Sequence, residues 1–423
     1  MKIKKAQTLD DIYNSFEYNR PLNENEYDFF ENIYDKKLTR FINNIKRNEV
    51  YQNIFFIAGQ RGNGKSTILN NLKNRNKSFN ESYQIRHIEA MKVFDIHDVD
   101  IVDILLVIGF DIIDNSKLDG AKTKELRDKF EKELQEIQDL KSGKLEKHST
   151  NIDGKIVQAS SENSISLKAG FFSYFSADSK LSATYKADRN LRIEAKKIYM
   201  YNVKDLLKTI NSLIDDFKRL SNTKKEILLI LDGLERLADI DKVFTQDIDL
   251  LRDIKCFKII TMPVYLKEIV DTNDIQPIDF TMEMHNGKIK NIELLKNVIF
   301  KRLENNNLIT SKALDLAVSM SGGNIRQLLN IIQTASTEAI DIFQTQKIDI
   351  QEIESAVEIL KGHLSSRTQI YSEFLNEIKN THKITTEDDF EILAKTIKAG
   401  LVFAYFNGTA YYDVNPIIKA NLD

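Results

Sequence analysis

Residues 54–67, IFFIAGQRGNGKST, decide the fold. The five apolar residues at 54–58 predict a buried strand that ends at Gly59, and the pattern that follows predicts a helix from Lys65 to about Leu72. The turn between them fits Gly-x-x-x-x-Gly-Lys-Ser/Thr, in which a strand, a glycine-rich loop and a helix follow one another directly. The sequence therefore predicts a phosphate-binding loop on a parallel α/β sheet.

The spacing within this loop has a chemical reason. Glycines let the backbone curl without Cβ clashes, so that its N–H groups turn toward phosphate oxygens. The positive end of the helix dipole points at the same charge. We expect Lys65 to reach the β- and γ-phosphates of ATP, and the Ser66 hydroxyl to bind Mg²⁺. The predicted ATP-binding residues are Gly59, Gln60, Arg61, Gly62, Asn63, Gly64, Lys65, Ser66 and Thr67.

A second apolar run, ILLILDGLERL at 227–237, supplies the acids that a Mg²⁺–ATP site needs. Such a run is typical of a strand buried on both faces, and Asp232 stands at its carboxyl end, where open α/β sheets bind ligands. We expect Asp232 to contact Mg²⁺ through a water molecule. Gly233 permits a sharp turn that would bring Glu235 back as a general base. The alternative for Glu235 is an exposed carboxylate at a helix start, and Arg236 is interpreted as a surface or subunit-contact cation.

The composition is that of a globular protein without a strong charge field. Of the 423 residues, 42% are apolar and 29% are charged, and the net charge of −3 gives no global attraction to nucleic acid. The one cysteine, Cys256, stands in an apolar run and is predicted to be a buried thiol. The basic start of the chain lacks the apolar core of a signal peptide, and acids interrupt the apolar run 101–113. We therefore expect a cytoplasmic protein without a membrane span.

Apolar patterning predicts further elements. A charged helix over 122–140 is either a protruding docking arm or a solvated helix packed on the core. Its apolar residues recur at steps of four, four and three, so that they line one face: Leu126, Phe130, Leu134 and Ile137. Two strands near the end of the chain would be joined by a hairpin turn at Asn407-Gly408. Other predicted elements are strands at 83–90 and 257–261, helices at 99–113 and 191–220, and a helical region at 292–342.

These motifs resemble those of a known group of ATPases. Residues 59–66 and 227–232 look like the Walker A and Walker B motifs of P-loop NTPases. The segment SGGNIRQLL at 321–329 resembles the sensor 2 helix of AAA+ ATPases, in which Arg326 would reach the γ-phosphate. Thr261 stands where AAA+ proteins carry sensor 1, a polar residue that helps to position water. The apolar run followed by Asp-Gly-x-acid is closer to bacterial STAND ATPases.

The resemblance implies a domain organisation. Lid helices followed by a hairpin-bearing terminal domain resemble the origin-recognition initiator clade, which ends in a winged helix. We therefore expect an α/β fold with a P-loop NTPase parallel sheet core, a helical lid and a C-terminal winged-helix-like domain. The expected parts are an N-terminal helical segment at 1–45, the ATPase core at 46–290 with an insertion at about 115–200, the lid at 291–343 and the terminal domain at 344–423.

One departure from the family bears on function. Ring-forming AAA+ proteins supply an arginine finger just after the sensor 1 strand, whereas this chain has no arginine between Met262 and Phe300. Lys267 is the cation nearest to the expected finger position in the sequence. A lysine ammonium group is less suited than an arginine guanidinium to bind two phosphate oxygens at once. The resemblance therefore implies a slow ATPase that acts as a switch rather than a processive ring motor.

Three functions follow as hypotheses. The first is an ATP- and Mg²⁺-dependent switch ATPase in a homo- or hetero-oligomeric complex with a protein partner or effector, a layout that resembles ATPases of bacterial anti-phage systems. The second is an initiator-like ATPase that loads on DNA. Residues 345–423 carry eight Lys or Arg and twelve Asp or Glu, a balance that disfavours phosphate-backbone binding. The third is a nucleotide-binding scaffold without turnover, for which Glu235 would be only a surface carboxylate.

Overall fold

The computed structural model describes most of the chain. The described residues are 3–149, 175, 180–267, 278–279, 282–285, 288–384, 386, 389–406, 410–420 and 422. The predicted turn at Asn407-Gly408 lies outside the described residues, and so do residues 150–174 and 176–179 of the insertion predicted at about 115–200.

The strands occupy the predicted positions and three further ones, β5 to β7. In chain order they are β1 (Ile54–Ala58), β2 (Tyr83–Glu89), β3 (Glu226–Asp232), β4 (Phe257–Met262), β5 (Ile278–Asp279), β6 (Met282–His285), β7 (Lys288–Ile289), β8 (Val402–Phe406) and β9 (Ala410–Val414).

Helices connect the strands and make up most of the remaining described chain. They are α1 (Leu9–Ser15), α2 (Asp35–Arg47), α3 (Lys65–Arg75), α4 (Lys77–Ser82), α5 (Ala90–Val93), α6 (Ile101–Asp114), α7 (Gly120–Ser149), α8 (Leu181–Ala187), α9 (Arg189–Tyr199), α10 (Val203–Ser221), α11 (Ile240–Thr245), α12 (Ile248–Arg252), α13 (Ile292–Phe300), α14 (Ser311–Met320), α15 (Ile325–Asp341), α16 (Ile350–Ile370), α17 (Ser372–Thr381), α18 (Asp389–Ala399) and α19 (Pro416–Lys419). Short 3₁₀ helices lie at Tyr27–Phe29, Met200–Asn202, Leu234–Arg236, Val264–Leu266 and Asn306–Leu308.

The main sheet has the strand order β2-β3-β4-β1-β5. Each pair with a determined register, namely β2 with β3, β3 with β4 and β1 with β5, is parallel. Every residue of β1 and β4 is buried, and so is every residue of β3 after Glu226, as expected for strands covered on both faces. The predicted α/β class with a parallel sheet core is confirmed.

The chain divides into two compact units. The first contains residues 1–47, 56–77 and 261–423, and the second contains 48–55 and 78–260. The domain boundaries proposed from the sequence stay predictions, as does the winged-helix assignment of the terminal part.

The second unit packs helices with apolar faces around β2 and β3. Helix α6 is buried along almost its whole length, and α7 buries the predicted face of Leu126, Phe130, Leu134 and Ile137. This face is therefore part of a core, and the burial of each of these side chains stabilises the fold by about 1.5–3 kcal/mol. The Phe175 ring packs at 6.1 Å from the Phe130 ring and extends that core. For the described part of α7, the interpretation as a packed helix therefore fits better than a protruding arm.

The helix predicted over 191–220 is wrong as a single element. The structure has α9 and α10 instead, separated by the 3₁₀ turn Met200–Asn202. Tyr199 before the turn is fully buried, whereas Tyr201 within the turn is exposed. Apolar periodicity continues through the segment, so the sequence pattern does not reveal the change in direction.

A buried lysine, Lys258, hydrogen-bonds the start of β4 to neighbouring backbone segments of the second unit. The Nζ atom of Lys258 donates hydrogen bonds to the carbonyls of Tyr51 at 2.7 Å, Arg252 at 2.9 Å and Ile254 at 2.7 Å. Burial lowers the pKa of Lys258 to about 8. The three acceptors satisfy the three donors of an ammonium group, so a charged residue can stand within an otherwise apolar strand. Cys256, two residues earlier, is buried as predicted, and burial raises the pKa of its thiol to about 11.

The first unit contains a second sheet of order β7-β6-β8-β9. Strands β8 and β9 form the predicted antiparallel hairpin, with Val402 opposite Val414, and β6 joins β8 in parallel. The aromatic residues of the hairpin pack within this unit: Tyr405 and Tyr412 are buried, and the Tyr411 ring stacks on His382 at 4.4 Å. Cross-strand packing therefore accounts for these residues better than an aromatic surface for a partner.

Over the residues that can be assessed, no helix is long and apolar enough to cross a bilayer. Helix α6, the most apolar candidate in the sequence, buries Asp103, whose Oδ1 accepts a hydrogen bond from the Tyr185 hydroxyl at 2.8 Å. Lys196 also lies 2.9 Å from Asp103 Oδ2. The acid that interrupts the apolar run thus has polar partners inside the second unit.

Candidate nucleotide-binding site

The predicted phosphate loop lies in the first unit, between the end of β1 and the start of α3. Gly62 and Gly64 have left-handed φ angles of +98° and +84°, which side chains with a Cβ atom rarely adopt. Gly64 precedes the first helical residue, Lys65, and has no side chain to cap the helix. Because the first turn of a helix presents unsatisfied N–H groups, this arrangement leaves the N-terminus of α3 suited to an anion.

Lys65 folds back over the loop from the first turn of α3. Its Nζ atom donates to the Gly59 carbonyl at 2.7 Å and to the Gln60 carbonyl at 3.1 Å, and the residue is only 4% exposed. Burial of an ammonium group is costly unless acceptors surround it, and the two carbonyls supply them. A phosphate oxygen is a stronger acceptor than a carbonyl, so the same ammonium group can serve an anionic ligand.

The two hydroxyl residues that follow have different surroundings. Ser66 lies in the first turn of α3, as the predicted Mg²⁺ ligand must. Thr67 Oγ1 accepts a hydrogen bond from the Leu22 N–H at 3.2 Å, and Asn70 Nδ2 donates to the Leu22 carbonyl at 3.2 Å. Helix α3 is therefore hydrogen-bonded to the N-terminal segment at Leu22.

The N-terminus of α15, which carries the predicted sensor 2 arginine, is hydrogen-bonded to the phosphate loop. The backbone N–H of Arg326 donates to the Gly62 carbonyl at 3.2 Å. Asn324 Nδ2 donates to the Arg61 carbonyl at 2.8 Å and to Asn63 Oδ1 at 3.2 Å. The side chain of Asn324 also caps α15, because its Oδ1 accepts from the Gln327 N–H at 3.1 Å. One buried asparagine thus connects the loop to the helix.

The side chain of Arg326 is partly buried and contacts the N-terminal segment. Its Nε atom donates to the Tyr18 carbonyl at 3.2 Å. Arg326 therefore joins three parts of the first unit: the phosphate loop, α15 and residues before α2.

Gln60, an unspecified position of the loop motif, is hydrogen-bonded to the terminal hairpin. Its Nε2 atom donates to the Val402 carbonyl at 3.1 Å, and its Oε1 atom accepts from the Ala404 N–H at 3.0 Å. The residue is 5% exposed, so both bonds are shielded from water. The side-chain amide therefore bonds to the backbone of β8 with both a donor and an acceptor, as a residue of a paired strand does.

A second contact joins β8 to the segment before α15. The Tyr405 hydroxyl donates to the Gly322 carbonyl at 2.9 Å. Burial and the charge of Asp413 raise the pKa of Tyr405, so the hydroxyl stays protonated as a donor. Gly322 has a φ of +58°, and a Cβ atom there would come within 2.7 Å of the Phe403 ring. A glycine is needed at that close approach.

Close packing at Gly62 gives a first testable prediction. A Cβ atom on Gly62 would lie 2.4 Å from Asn324 Oδ1 and 2.8 Å from Arg326 Cβ, and the φ of +98° adds strain. We expect Gly62→Ala to lower the free energy of unfolding by about 2 kcal/mol, measured by denaturant titration without nucleotide.

The matched control for this variant is Gly362→Ala within α16. A Cβ atom on Gly362 would meet nothing within 4 Å, so alanine should leave the free energy of unfolding unchanged or raise it by about 0.5–1 kcal/mol. Equal stability of Gly62→Ala and the parent would contradict the close contact between the loop and α15.

The predicted acids lie in the second unit. Asp232 ends β3 and is 4% exposed, and its Oδ2 atom lies 3.5 Å from His87 Nε2. Gly233 follows with a φ of +87°, and the chain then forms the 3₁₀ helix Leu234–Arg236. Glu235 lies in that turn and is partly buried, as is Arg236. The sharp turn expected at Gly233 is present, and the predicted role of Glu235 as a base stays a prediction.

Thr261 is the penultimate residue of β4 and is fully buried. A buried hydroxyl at the carboxyl end of a central parallel strand is suited to bind a water or a ligand oxygen. Its predicted sensor 1 role stays a prediction.

The residues present fit ATP with Mg²⁺. Gly62 and Gly64 have the left-handed φ angles that turn the loop, Lys65 supplies a buried positive charge, and the Ser66 hydroxyl is a hard oxygen ligand of the kind that Mg²⁺ prefers. In the part of the chain that the structure describes, no group of three or more His, Cys, Asp or Glu side chains is placed to hold a metal ion. Mg²⁺ in proteins usually keeps several water ligands and binds phosphate oxygens beside one or two protein oxygens.

The sequence predicts no role for Asn324 or His87, and it does not predict the contact between Gln60 and the terminal hairpin. Asn324 carries a readable signal, since an asparagine just before an apolar-periodic helix is a typical N-cap. Gln60 and His87 carry none, because their partners Val402 and Asp232 are distant in the chain.

No protein-family model matches the chain, and no curated protein matches it. Among solved structures, the chain is similar to the Orc1 protein of Aeropyrum pernix in complex with DNA, at 11% identity over 94% of this chain and 96% of that chain, with a TM-score of 0.39. It is also similar to Cdc6p from Pyrobaculum aerophilum, at 13% identity over 98% of this chain and 99% of that chain, with a TM-score of 0.36.

Proposed function

We propose that the protein is a Mg²⁺-dependent ATPase of the AAA+/STAND type, which hydrolyses ATP slowly and acts as a switch in a complex with other proteins. The observation that carries this proposal is the set of hydrogen bonds between the phosphate loop and the N-terminus of α15, through Gly62, Asn324 and Arg326. A loop that holds phosphates and is bonded to a separate helix can transmit the loss of one phosphate to that helix.

Six predicted site residues would have the following roles. Lys65 would bind the β- and γ-phosphates in place of the Gly59 and Gln60 carbonyls, and Ser66 and Asp232 are the residues proposed to hold Mg²⁺. Glu235 would accept a proton from the attacking water, and Thr261 would help to orient that water. Arg326 would contact the γ-phosphate in place of the Tyr18 carbonyl, because a charged phosphate is the stronger acceptor.

The same contacts suggest how the nucleotide state would reach the rest of the first unit. Gln60 connects the loop to β8, and Tyr405 connects β8 back to Gly322 just before α15. The loop, the helix and the hairpin therefore form a closed circuit of hydrogen bonds. If the loop shifted on hydrolysis, hydrogen bonds at more than one point of this circuit would be strained. We therefore expect the first unit to have two discrete arrangements rather than a gradual adjustment.

The proposal also names the kind of binding partner that we expect. We place the switch in a homo- or hetero-oligomeric complex with a protein effector, and anti-phage defence is the role that the resemblance suggests. The acidic balance of residues 345–423 supports a protein partner over DNA.

Substitution of Arg326 tests the switch. We expect Arg326→Ala to keep ATP affinity within a factor of about three but to lower steady-state ATP turnover at least about tenfold, because a cation that contacts developing charge acts mainly in the transition state. ATP-dependent change in assembly, measured by light scattering with and without ATP, should be lost in the same variant.

The matched control is Arg367→Ala, which removes an exposed arginine from α16 in the same unit. It should behave as the parent in both measurements. Parental turnover and assembly in Arg326→Ala would remove the sensor 2 assignment and leave the loop as a nucleotide-binding site without a coupled helix.

A further inference from the structure

His87 shares a face of the sheet with Asp232 in the second unit. Strands β2 and β3 are parallel and in register, with His87 beside Ile230 and Glu89 beside Asp232. Side chains alternate along a strand, so residues two apart project to the same side, and His87 is a diagonal neighbour of Asp232.

The two side chains are in contact and removed from water. His87 Nε2 lies 3.5 Å from Asp232 Oδ2, with 2% of the histidine side chain and 4% of the aspartate side chain exposed. Among the described residues, His87 Nε2 is a buried nitrogen without a hydrogen-bond partner at normal geometry. Burial of an unsatisfied polar atom costs about 1–3 kcal/mol, so an apolar residue would be the more stable choice if packing were the only role of this position.

A second acid, Glu89, lies next to the Asp232 carboxylate on the same face of the sheet. Glu89 stands directly beside Asp232 across the two strands, an arrangement in which like charges repel. Lys92 Nζ donates to Glu89 Oε1 at 2.7 Å and offsets part of that repulsion. His87 lies on the same face, with its Nε2 atom 3.5 Å from Asp232 Oδ2.

We infer that His87 is a positioning residue for Asp232. Its Nε2–H would hold Oδ2, by direct contact after a small shift or through one water, and so fix the rotamer of the carboxylate that is proposed to serve the metal. This inference rests on the proposed role of Asp232 toward Mg²⁺–ATP. Partners that orient a carboxylate near a metal in this way typically change metal affinity when they are removed.

The test measures Mg²⁺ dependence of binding rather than turnover. A fluorescent ATP analogue is titrated onto the full chain in EDTA and then at increasing Mg²⁺. In His87→Leu, which fills the space without a donor, we expect unchanged affinity in EDTA and about a tenfold higher Mg²⁺ concentration for half-maximal gain. His87→Gln, which keeps an N–H donor at a similar reach, should restore most of the parental value. His97→Leu, at an exposed histidine of the same unit, should match the parent.

A double-mutant cycle separates positioning from loss of structure. In an Asp232→Asn background, His87→Leu should add no further change in Mg²⁺ dependence, because its effect passes through the carboxylate. The inference is overturned if His87→Leu keeps the parental Mg²⁺ dependence, if His87→Gln fails as completely as His87→Leu while folded, or if the two substitutions are additive. If His87→Leu does not fold, His87→Met, which also fills the space without a donor, replaces it in the titration and in the cycle. Failure of the parent to bind the analogue at all would overturn the proposed function instead.

Discussion

Lys65→Ala should reduce ATP affinity at least about 100-fold. The variant removes the buried ammonium group whose acceptors, Gly59 and Gln60 carbonyls, belong to the loop that would hold the phosphates. A charge-assisted bond to phosphate inside a shielded site is worth about 2–4 kcal/mol, and truncation also leaves the phosphate charge without its partner. Isothermal titration of the purified chain with ATP and Mg²⁺ measures the loss directly.

Lys73→Ala is the matched control for this effect, since it removes a lysine from the same helix, two turns further along. It should leave ATP affinity within a factor of about two, because a phosphate at the loop is beyond its reach. Unchanged affinity in Lys65→Ala would exclude residues 59–67 as the phosphate-binding loop, whatever the fold of the surrounding sheet.

Glu235→Gln should keep ATP binding and lower ATP turnover about 100-fold or more. The amide is isosteric with the carboxylate, so the 3₁₀ turn Leu234–Arg236 is retained, but it cannot accept the proton of an attacking water. General base catalysis contributes about 10²–10⁴ in rate, which sets the size of the loss. Phosphate release at saturating ATP, together with the affinity for ATP, distinguishes a defect in chemistry from one in binding.

Glu226→Gln serves as the control, because Glu226 begins the same strand β3 and is exposed at the opposite end from Asp232. Its ion pair with Lys218 lies on the surface, where such pairs contribute about 0–1 kcal/mol, so turnover should not change. Persistent turnover in Glu235→Gln would place the base elsewhere. Absence of turnover in the parent itself would favour the nucleotide-binding scaffold.

The elements around the site were predictable because their signals are local. An uninterrupted apolar run marks each strand that is covered on both faces, so β1, β3 and β4 were assigned within about one residue. A turn between β1 and α3 is expected from the glycines of the loop, and Gly64, at a fixed position of the motif, and Gly62, at a variable one, both have left-handed φ angles. The roles assigned to the loop, the acids and Arg326 remain predictions that the variants above test.

The remaining features were not predictable for physical reasons. Strands β5 and β7 have two residues each, too few for an alternating pattern to stand out from a loop. The break in the helix predicted over 191–220 occurs where apolar spacing continues, so tertiary packing decided it. The contacts of Gln60 depend on residues 342 positions away, and no local pattern contains that information.

The bond between Gln60 and β8 restricts how the protein can be divided for study. An ATPase fragment that stops before residue 402 would leave both polar groups of a buried amide without acceptor or donor, at the base of the phosphate loop. Such a fragment would report the nucleotide affinity of a rearranged loop rather than that of the whole chain. By the same reasoning, a phosphate loop transplanted from another ATPase would need glutamine at this one variable position to keep its hydrogen bonds to β8.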